Sequence, residues 1–125
     1  MYIKYKINEK NKEGNSSLML ALINNNTEIV KLLIEYANKN NVILELNEKT
    51  NTGSSFILLA IHFDNIEMLK LLINYANEHN IILNINDKNE DGWSPICSAS
   101  GHDNIEIVKL LIDYTNRHNI ILGIN

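Results

Sequence analysis

The tetrapeptide Lys-Leu-Leu-Ile occurs three times in the chain, at residues 31–34, 70–73 and 109–112. Both intervals are 39 residues long, and the residues around each copy keep the same register. Self-similarity at a fixed period of roughly 20–50 residues indicates a repeat architecture rather than one irregular core. We therefore treat the chain as a single repeat domain, residues 1–125. It divides into the end of a preceding repeat, 1–7, and three repeats, 8–46, 47–85 and 86–125.

Each repeat contains a polar turn with a glycine at the same place: Gly14, Gly53 and Gly92. The first glycine follows Asn11-Lys12-Glu13, a composition that favours a tight turn. Glycine adopts positive φ at little energetic cost, which such turns often require. We expect a hairpin-like turn at the start of each repeat.

Two helices are predicted after each turn. Ser16 is placed to cap a short first helix, and Asn26 to cap a second helix with Glu28 in its positively polarised first turn. Asn41 is expected to end the second helix, because asparagine tolerates the left-handed conformation found at helix ends. The equivalent residues are Ser55, Asn65, Glu67 and Asn80 in the second repeat, and Ser94, Asn104, Glu106 and Asn119 in the third.

The second helix carries an apolar stripe. Its members in the first repeat recur at three- and four-residue spacing, so we expect them to be buried. They are Ile29, Leu32, Leu33 and Tyr36. A helix pair of this size cannot bury such a stripe alone, but stacked pairs can cover one another. The predicted fold is an all-α repeat solenoid of three stacked helix-turn-helix units joined by hairpin-like turns.

Short β-branched runs, 42–44, 81–83 and 120–122, follow the second helix and predict extended segments. Residues 3–7 align with residues 42–46 and 81–85. They predict the trailing strand of a preceding unit, and hence a longer array.

The repeats resemble the ankyrin repeat family. Its pattern joins a glycine turn to Thr-Pro-Leu-His, an alanine and then Glu-Ile-Val-Lys-Leu-Leu. The third repeat is the most similar, with Gly-Trp-Ser-Pro-Ile-Cys at 92–97, Ala99, and Ile-Glu-Ile-Val-Lys-Leu-Leu at 105–111. The first repeat matches through Glu-Ile-Val-Lys-Leu-Leu at 28–33. The resemblance covers nearly the whole chain and implies stacked helix pairs.

The chain departs from the family pattern in two respects. Its period of 39 residues exceeds the usual value of about 33, and the surplus falls after the second helix. That helix or its exit loop must therefore be longer. The family's histidine is replaced by Met19, Leu58 and Cys97. A HEAT-like solenoid is the alternative, but a glycine turn before so short a first helix argues against it.

Composition excludes several partners. The formal charge is −4, and no lysine or arginine cluster with interleaved aromatics is present, so nucleic acid is not predicted as a partner. No apolar stretch approaches the roughly 18 residues of a membrane span, so no membrane association is predicted. Cys97 is the only cysteine, which rules out an internal disulfide and favours a reducing, intracellular compartment.

No catalytic or metal-binding pattern is evident. Cys97 and His102 could be a nucleophile and a base, but no orienting carboxylate or amide is identifiable, so we interpret Cys97 as a packing residue. The four histidines show no ligand spacing, and we expect His79 and His118 to face solvent. We predict neither an enzyme, nor a metal, nor a cofactor. The tyrosines at 36, 75 and 114 are expected to pack between repeats with the hydroxyl at an edge.

The ankyrin resemblance implies protein binding through the turn tips and the concave face of the short helices. Phe63 and Trp93 stand out there as aromatic anchors, although they could simply pack on a helix junction and a neighbouring turn. We predict a non-catalytic protein-protein interaction module; the alternative is a structural spacer without a specific ligand. The implied protein-binding residues are Lys12, Glu13, Asn15, Ile23, Asn24, Asn51, Thr52, Ser54, His62, Phe63, Glu90, Asp91, Trp93 and His102.

The terminal repeats are as apolar as the central one, whereas terminal repeats normally have a polar outer face. We therefore expect one exposed hydrophobic end. It would be covered either by further repeats of a longer protein or by end-to-end contact between copies of this chain.

Overall fold

The computed structural model describes residues 6–123. Within this range six α-helices alternate between short and long, and no strand is formed apart from an isolated bridge between Lys49 and Ser55. The short helices have seven residues each and the long helices thirteen. In chain order they are α1 (Ser17–Ile23), α2 (Thr27–Lys39), α3 (Phe56–His62), α4 (Ile66–Glu78), α5 (Pro95–Gly101) and α6 (Ile105–Arg117).

The helix boundaries arise from the predicted capping residues. The Ser16 hydroxyl accepts the N–H of Met19 at 3.2 Å, and the Asn26 side chain accepts the N–H of Ile29 at 3.1 Å. Asn41 has a φ of 55° just after the end of α2. The same serine and asparagine caps and the same positive φ recur in the other two repeats. Each cap satisfies backbone donors or acceptors that the helix end would otherwise leave unpaired.

One continuous core runs through the stack. Each short helix packs against the long helix of its own repeat and against the short helix of the next repeat, and the long helices pack in the same order. In the second and third repeats the predicted apolar stripe is buried at three of its four positions, where Met68 and Ile107 replace Ile29, and is partly buried at the fourth, Leu71 and Leu110. In the first repeat the prediction is wrong, since Leu32 is 61% exposed and Ile29 and Tyr36 are also exposed. The stripe is covered by the preceding repeat, and no helix precedes α1 in the described residues.

Both ends of the stack are apolar, rather than the single exposed end that we predicted. The first face consists of the uncovered stripe of α2, with Ile29, Leu32 and Tyr36. The last face contains Ile105, which is 70% exposed, and Ile112 of α6. The prediction missed this second face because it treated the stripe as the only apolar side of the long helix. Ile34 and Ile73, the equivalents of Ile112, are more covered because a following repeat packs on them.

The β-branched runs after the long helices form no strand. Burial alternates along the first of them, with Val42, Leu44 and Leu46 turned into the core and Ile43 exposed, as in an extended segment. The predicted trailing strand of a preceding unit falls mainly on residues 3–5, which lie outside the described residues. Residues 6–8 form a short 3₁₀ turn.

Asparagine side chains tie neighbouring exit segments together. Asn47 donates to the carbonyl of Ile82 at 2.9 Å and accepts the N–H of Asn84 at 3.0 Å. Asn8 and Asn86 make the same pair of bonds one repeat earlier and one repeat later. An amide presents one donor and one acceptor side by side, so it can pair with the backbone as a neighbouring strand would. This ladder holds together the exit segments that follow the long helices.

Tyrosines and histidines provide a second link between repeats. The Tyr75 hydroxyl is buried and accepts the N–H of Leu44 at 3.0 Å, and Tyr114 accepts that of Leu83 at 2.9 Å. The prediction of inter-repeat packing fits, but the hydroxyl lies inside the stack rather than at an edge.

The predicted solvent-facing role of the two histidines is also wrong. His79 is only partly exposed, its ring lies 4.2 Å from that of Tyr75, and its Nε2 lies 3.0 Å from Oδ1 of Asn38 in the preceding repeat. His118 has the same surroundings, with Tyr114 and Asn77 as its neighbours. Both histidines therefore connect repeats. Sequence alone missed this because their asparagine partners lie 41 residues away in the chain.

Candidate functional site

A cleft of about 530 Å³ lies between the second and third repeats. It is bounded by two turn tips and by the facing sides of α3 and α5. From the second repeat it is lined by Thr52, Ser54, Leu58, Leu59 and His62. From the third repeat it is lined by Asn89, Asp91, Trp93, Ser98, Gly101 and His102.

The cleft brings together six of the fourteen residues implied by the family resemblance. These are Thr52, Ser54, His62, Asp91, Trp93 and His102. Asn51, Phe63 and Glu90 lie next to lining residues in the chain but not on the cleft wall. Lys12, Glu13, Asn15, Ile23 and Asn24 belong to the first repeat and do not line the cleft.

Trp93 is the largest side chain on the cleft wall, and it is 50% exposed. Its ring lies beside α5, since a Cβ added to Gly101 would stand 3.9 Å from Cζ3 of the indole. Leu59 supplies apolar surface from α3, and Leu58 also lines the cleft although it is only 4% exposed. An exposed indole beside aliphatic side chains is the kind of surface on which a partner's apolar residue can pack.

Phe63 occupies a different environment. It caps α3, is partly exposed, and its ring meets the edge of the His62 ring at a centroid distance of 5.1 Å. It therefore lies at the junction between α3 and α4. Of the two aromatic anchors considered from the sequence, Trp93 alone lines the cleft.

The turn that carries Trp93 is held in one conformation by hydrogen bonds. The Asn89 side chain accepts the N–H groups of Asp91 and Trp93, both at 3.0 Å, and the Asn89 N–H donates to the Trp93 carbonyl at 3.0 Å. Gly92 between them has a φ of 84°, which a residue with a Cβ rarely adopts. The indole is thus presented by a fixed backbone.

Adjacent turn tips also bond to each other. The Glu90 N–H donates to the Thr52 carbonyl at 3.2 Å, and the Asn51 side chain donates to the Glu13 carbonyl at 3.3 Å. These bonds connect the three tips into one ridge. A surface fixed before binding loses little conformational freedom when a partner arrives.

Some lining residues were missed by sequence reasoning. Leu59 and Ser98 occupy the slot of Leu20, which is the partly exposed side of a short helix. The sequence did contain a signal for these positions, because a leucine on the exposed side of a two-turn helix does not contribute to the core. Asn89 was missed because its role depends on the folded turn.

The reactive groups do not assemble into a catalytic arrangement. His102 lines the cleft, whereas Cys97 does not and is half-buried in the slot that holds Met19 and Leu58. No group of three or more histidine, cysteine or acidic side chains suited to a metal ion occurs among residues 6–123.

Comparison with known proteins identifies the repeats. A family model described as ankyrin repeats (3 copies) matches residues 1–82 and 42–121 of the chain. The chain belongs to the ankyrin repeat family. Ankyrin repeats are generally protein-protein interaction modules and are typically non-catalytic. The 39-residue unit seen here is thus a long ankyrin repeat.

A solved structure shows the same fold. The chain is similar to an ankyrin repeat domain from Acinetobacter baumannii AYE, with a TM-score of 0.68 and 22% sequence identity. The match covers 86% of this chain and 49% of the other, so the chain spans about half the length of that ankyrin domain. No curated protein matches this ankyrin chain. In the part of the chain that the structure describes, no helix has the length and apolar character needed to span a bilayer.

Proposed function

We propose that this ankyrin domain binds a protein segment in the cleft between its second and third repeats, through the turn tips and the short helices. The observation that carries the proposal is the half-exposed indole of Trp93 on a cleft wall that two repeats build together. Large aromatic side chains at the centre of an interface commonly contribute about 2 kcal/mol or more to binding. The bonded turn tips support the proposal, because a rigid surface meets its partner without being reordered.

The test begins with a display library of random peptides selected on the immobilised chain. Trp93 is the only tryptophan, so its fluorescence reports directly on the cleft when an enriched peptide is titrated. We expect Trp93→Ala to weaken binding by about thirtyfold, which corresponds to the loss of one aromatic anchor. Binding to that variant is followed by the anisotropy of a labelled peptide.

A second variant blocks the cleft without removing its anchor. Gly101→Leu places a branched side chain beside the indole, and leucine favours a helix by about 0.8 kcal/mol over glycine, so the fold is retained. Gly101→Ala is the matched control, because its methyl group stands only at ordinary contact distance from Trp93. The proposal is wrong if enriched peptides bind the Leu variant and the Trp93→Ala variant as tightly as the parent chain.

The second candidate function is that of a unit within a longer stack, as the spacer alternative implies. It is favoured by the two uncovered end faces, on which Leu32 and Ile105 are largely exposed. Their equivalents Leu71 and Ile66 are partly covered by adjacent repeats. A further ankyrin repeat or a second copy of this chain would cover the end faces in the same way. In that case self-association would increase with the concentration of the chain. Substitutions that block the cleft would leave this association unchanged.

A further inference from the structure

The charged residues of the chain are unevenly distributed over its surface. Three segments run from a turn tip through a short helix to the turn before the long helix: 11–26, 50–65 and 89–104. Together they contain one lysine, Lys12, and five carboxylates. The carboxylates are Glu13, Asp64, Glu90, Asp91 and Asp103. One positive and five negative charges give −4, which equals the formal net charge of the whole chain, because the ten positive and ten negative residues elsewhere cancel.

The imbalance is concentrated around the cleft. In the first repeat Lys12 and Glu13 cancel, whereas segments 50–65 and 89–104 contain four carboxylates and no lysine or arginine. Asp91 lines the cleft, and Glu90 precedes it on the same tip. The other two follow His62 and His102 at the opposite end of the short helices. All four carboxylates are exposed.

These four carboxylates differ from half of the acidic residues outside the three segments. Five of those ten are ion-paired, for example Glu67 with Lys31 at 2.7 Å and Glu48 with Lys10 at 2.9 Å. No lysine or arginine within 6–123 forms an ion pair with any of the four around the cleft. Their charge is not neutralised by an ion pair, although Asp64 accepts a hydrogen bond from the Asn104 side chain at 2.6 Å. Asp91 lines the cleft and the other three stand near its ends. Charges of one sign around a cleft concentrate counter-charged ligands and raise their rate of association.

We infer that the cleft selects a peptide segment of positive net charge, in which an apolar side chain that packs on Trp93 is flanked by lysine or arginine. This inference rests on the proposed function. Leu59 and the indole receive the apolar residue. The basic residues meet Asp91 on the cleft wall and the exposed Glu90, Asp64 and Asp103 near its ends. An arginine can also stack on the indole face. Nucleic acid, although flexible and rich in stacking bases, is repelled by the same charges.

The experiment uses the peptide library described above and compares the pool before and after selection on the parent chain. We expect the enriched peptides to have gained lysine and arginine on both sides of an apolar position, and their affinity to fall as salt is raised. A variant with the four substitutions Asp64→Asn, Glu90→Gln, Asp91→Asn and Asp103→Asn removes the charge while it keeps side-chain size. Asparagine tolerates the positive φ of 56° found at residues 64 and 103. The enriched peptides are expected to bind this variant about tenfold more weakly, or worse, since several exposed charge pairs are lost together.

The matched control removes the same number of carboxylates from other parts of the surface: Glu9→Gln, Glu35→Gln, Glu78→Gln and Asp113→Asn. None of these four is ion-paired among the described residues, and the control variant should bind within twofold of the parent chain. If peptides bind, lose affinity on Trp93→Ala, and yet are neutral or acidic or ignore the four neutralising changes, the charge inference is overturned and the proposed function stands. If Trp93→Ala leaves peptide binding unchanged, both the charge inference and the proposed function are wrong.

Discussion

At the scale of single residues, three equivalent tyrosines have different environments. Tyr75 and Tyr114 are 1% and 3% exposed and accept a backbone N–H from the preceding repeat, whereas Tyr36 is 38% exposed. The same residue type therefore has a structural role in two repeats and a surface position in the first. The comparison provides an internal control for the buried hydroxyl.

Removing the Tyr114 hydroxyl should destabilise the stack. Tyr114→Phe leaves the N–H of Leu83 buried without its acceptor, and an unpaired buried donor costs about 1–3 kcal/mol. Tyr36→Phe should change the free energy of unfolding by less than about 0.5 kcal/mol, because an exposed position has no such donor to satisfy. Urea denaturation of both variants measures the difference. Equal effects would show that the buried bond contributes nothing.

The titration of Tyr114 predicts a loss of stability at high pH. Burial raises the pKa of Tyr114 above its ordinary value of 10.0, although the hydrogen bond from Leu83 opposes the shift. The hydrogen bonds from Lys31 to Glu67 and Glu28 likewise raise the pKa of Lys31 above 10.5. Both groups hold their proton to higher pH in the folded chain than in the unfolded one. Their stabilising contribution is full below the ordinary pKa values and is lost as pH rises through the folded values.

Urea denaturation from about pH 9 to about pH 12 checks this dependence, since that range spans the ordinary tyrosine and lysine values. The free energy of unfolding should fall across it, and Tyr114→Phe should fall less steeply than the parent chain. Tyr36→Phe again serves as the control for the loss of one phenol. A parent chain whose stability is unchanged across this range would contradict the account.

At the scale of elements, asparagine ladders connect the exit segments of neighbouring repeats. Asn47→Ala removes one bond to the Ile82 carbonyl and one from the Asn84 N–H. We expect a loss of about 1–2 kcal/mol, the net value of two ordinary hydrogen bonds. Asn74→Ala on the exposed side of α4 is the control and should be neutral or slightly stabilising, because alanine favours helices. Thermal unfolding of the two variants distinguishes them, and equal midpoints would exclude a stabilising ladder.

The turn that carries Trp93 gives a second prediction at this scale. Asn89→Ala frees the N–H groups of Asp91 and Trp93, so the indole should be held less firmly and peptide affinity should fall by about tenfold. Asn11→Ala makes the same change in the first turn, where Asn11 accepts the N–H groups of Glu13 and Asn15. Its effect on affinity should be small. Fluorescence or anisotropy titrations with one enriched peptide compare the two variants. Equal losses of affinity would mean that the turn at Asn89 has no specific effect on peptide binding.

The elements also show what sequence can and cannot reveal. The turns at Gly14, Gly53 and Gly92 and the caps at Ser16 and Asn26 were predictable, because their partners lie within four residues. The roles of the ladder asparagines and of His79 were not. Their partners are 35 to 41 residues away and meet them only after stacking. Several of the repeat positions that line the cleft were predictable from the sequence. The location of the cleft between the second and third repeats, where Trp93 lies beside α5, was not.

At the scale of the whole molecule, the end faces complement each other. Lys70 pairs with Glu106 of the next repeat at 3.3 Å, whereas its equivalent Lys109 has no carboxylate partner within the described chain. Lys109 lies on the last face, beside the apolar residues Ile105 and Ile112. The first face presents Glu28, the equivalent of Glu106, beside the exposed stripe of α2. A second copy could therefore continue the pattern of the stack, and such head-to-tail contacts form an open array unless the rotation between copies closes a ring.

This complementarity predicts association that grows with concentration. Static light scattering over a dilution series should show an average mass that rises above that of one chain, and Leu32→Glu should abolish the rise by placing a charge on the first face. Leu20→Glu, at an exposed position of the short helix α1, is the control and should leave the rise unchanged. A parent chain that stays monomeric at millimolar concentration would contradict end-to-end contact.

Peptide binding in the cleft is tested most directly by a map of amide chemical shifts by NMR as an enriched peptide is titrated into the labelled chain. We predict that shift changes concentrate in residues 50–65 and 89–104 and that the indole N–H signal of Trp93 moves with them. Changes confined to the long helices α2, α4 and α6 or to the end faces, with the indole signal unmoved, would contradict it.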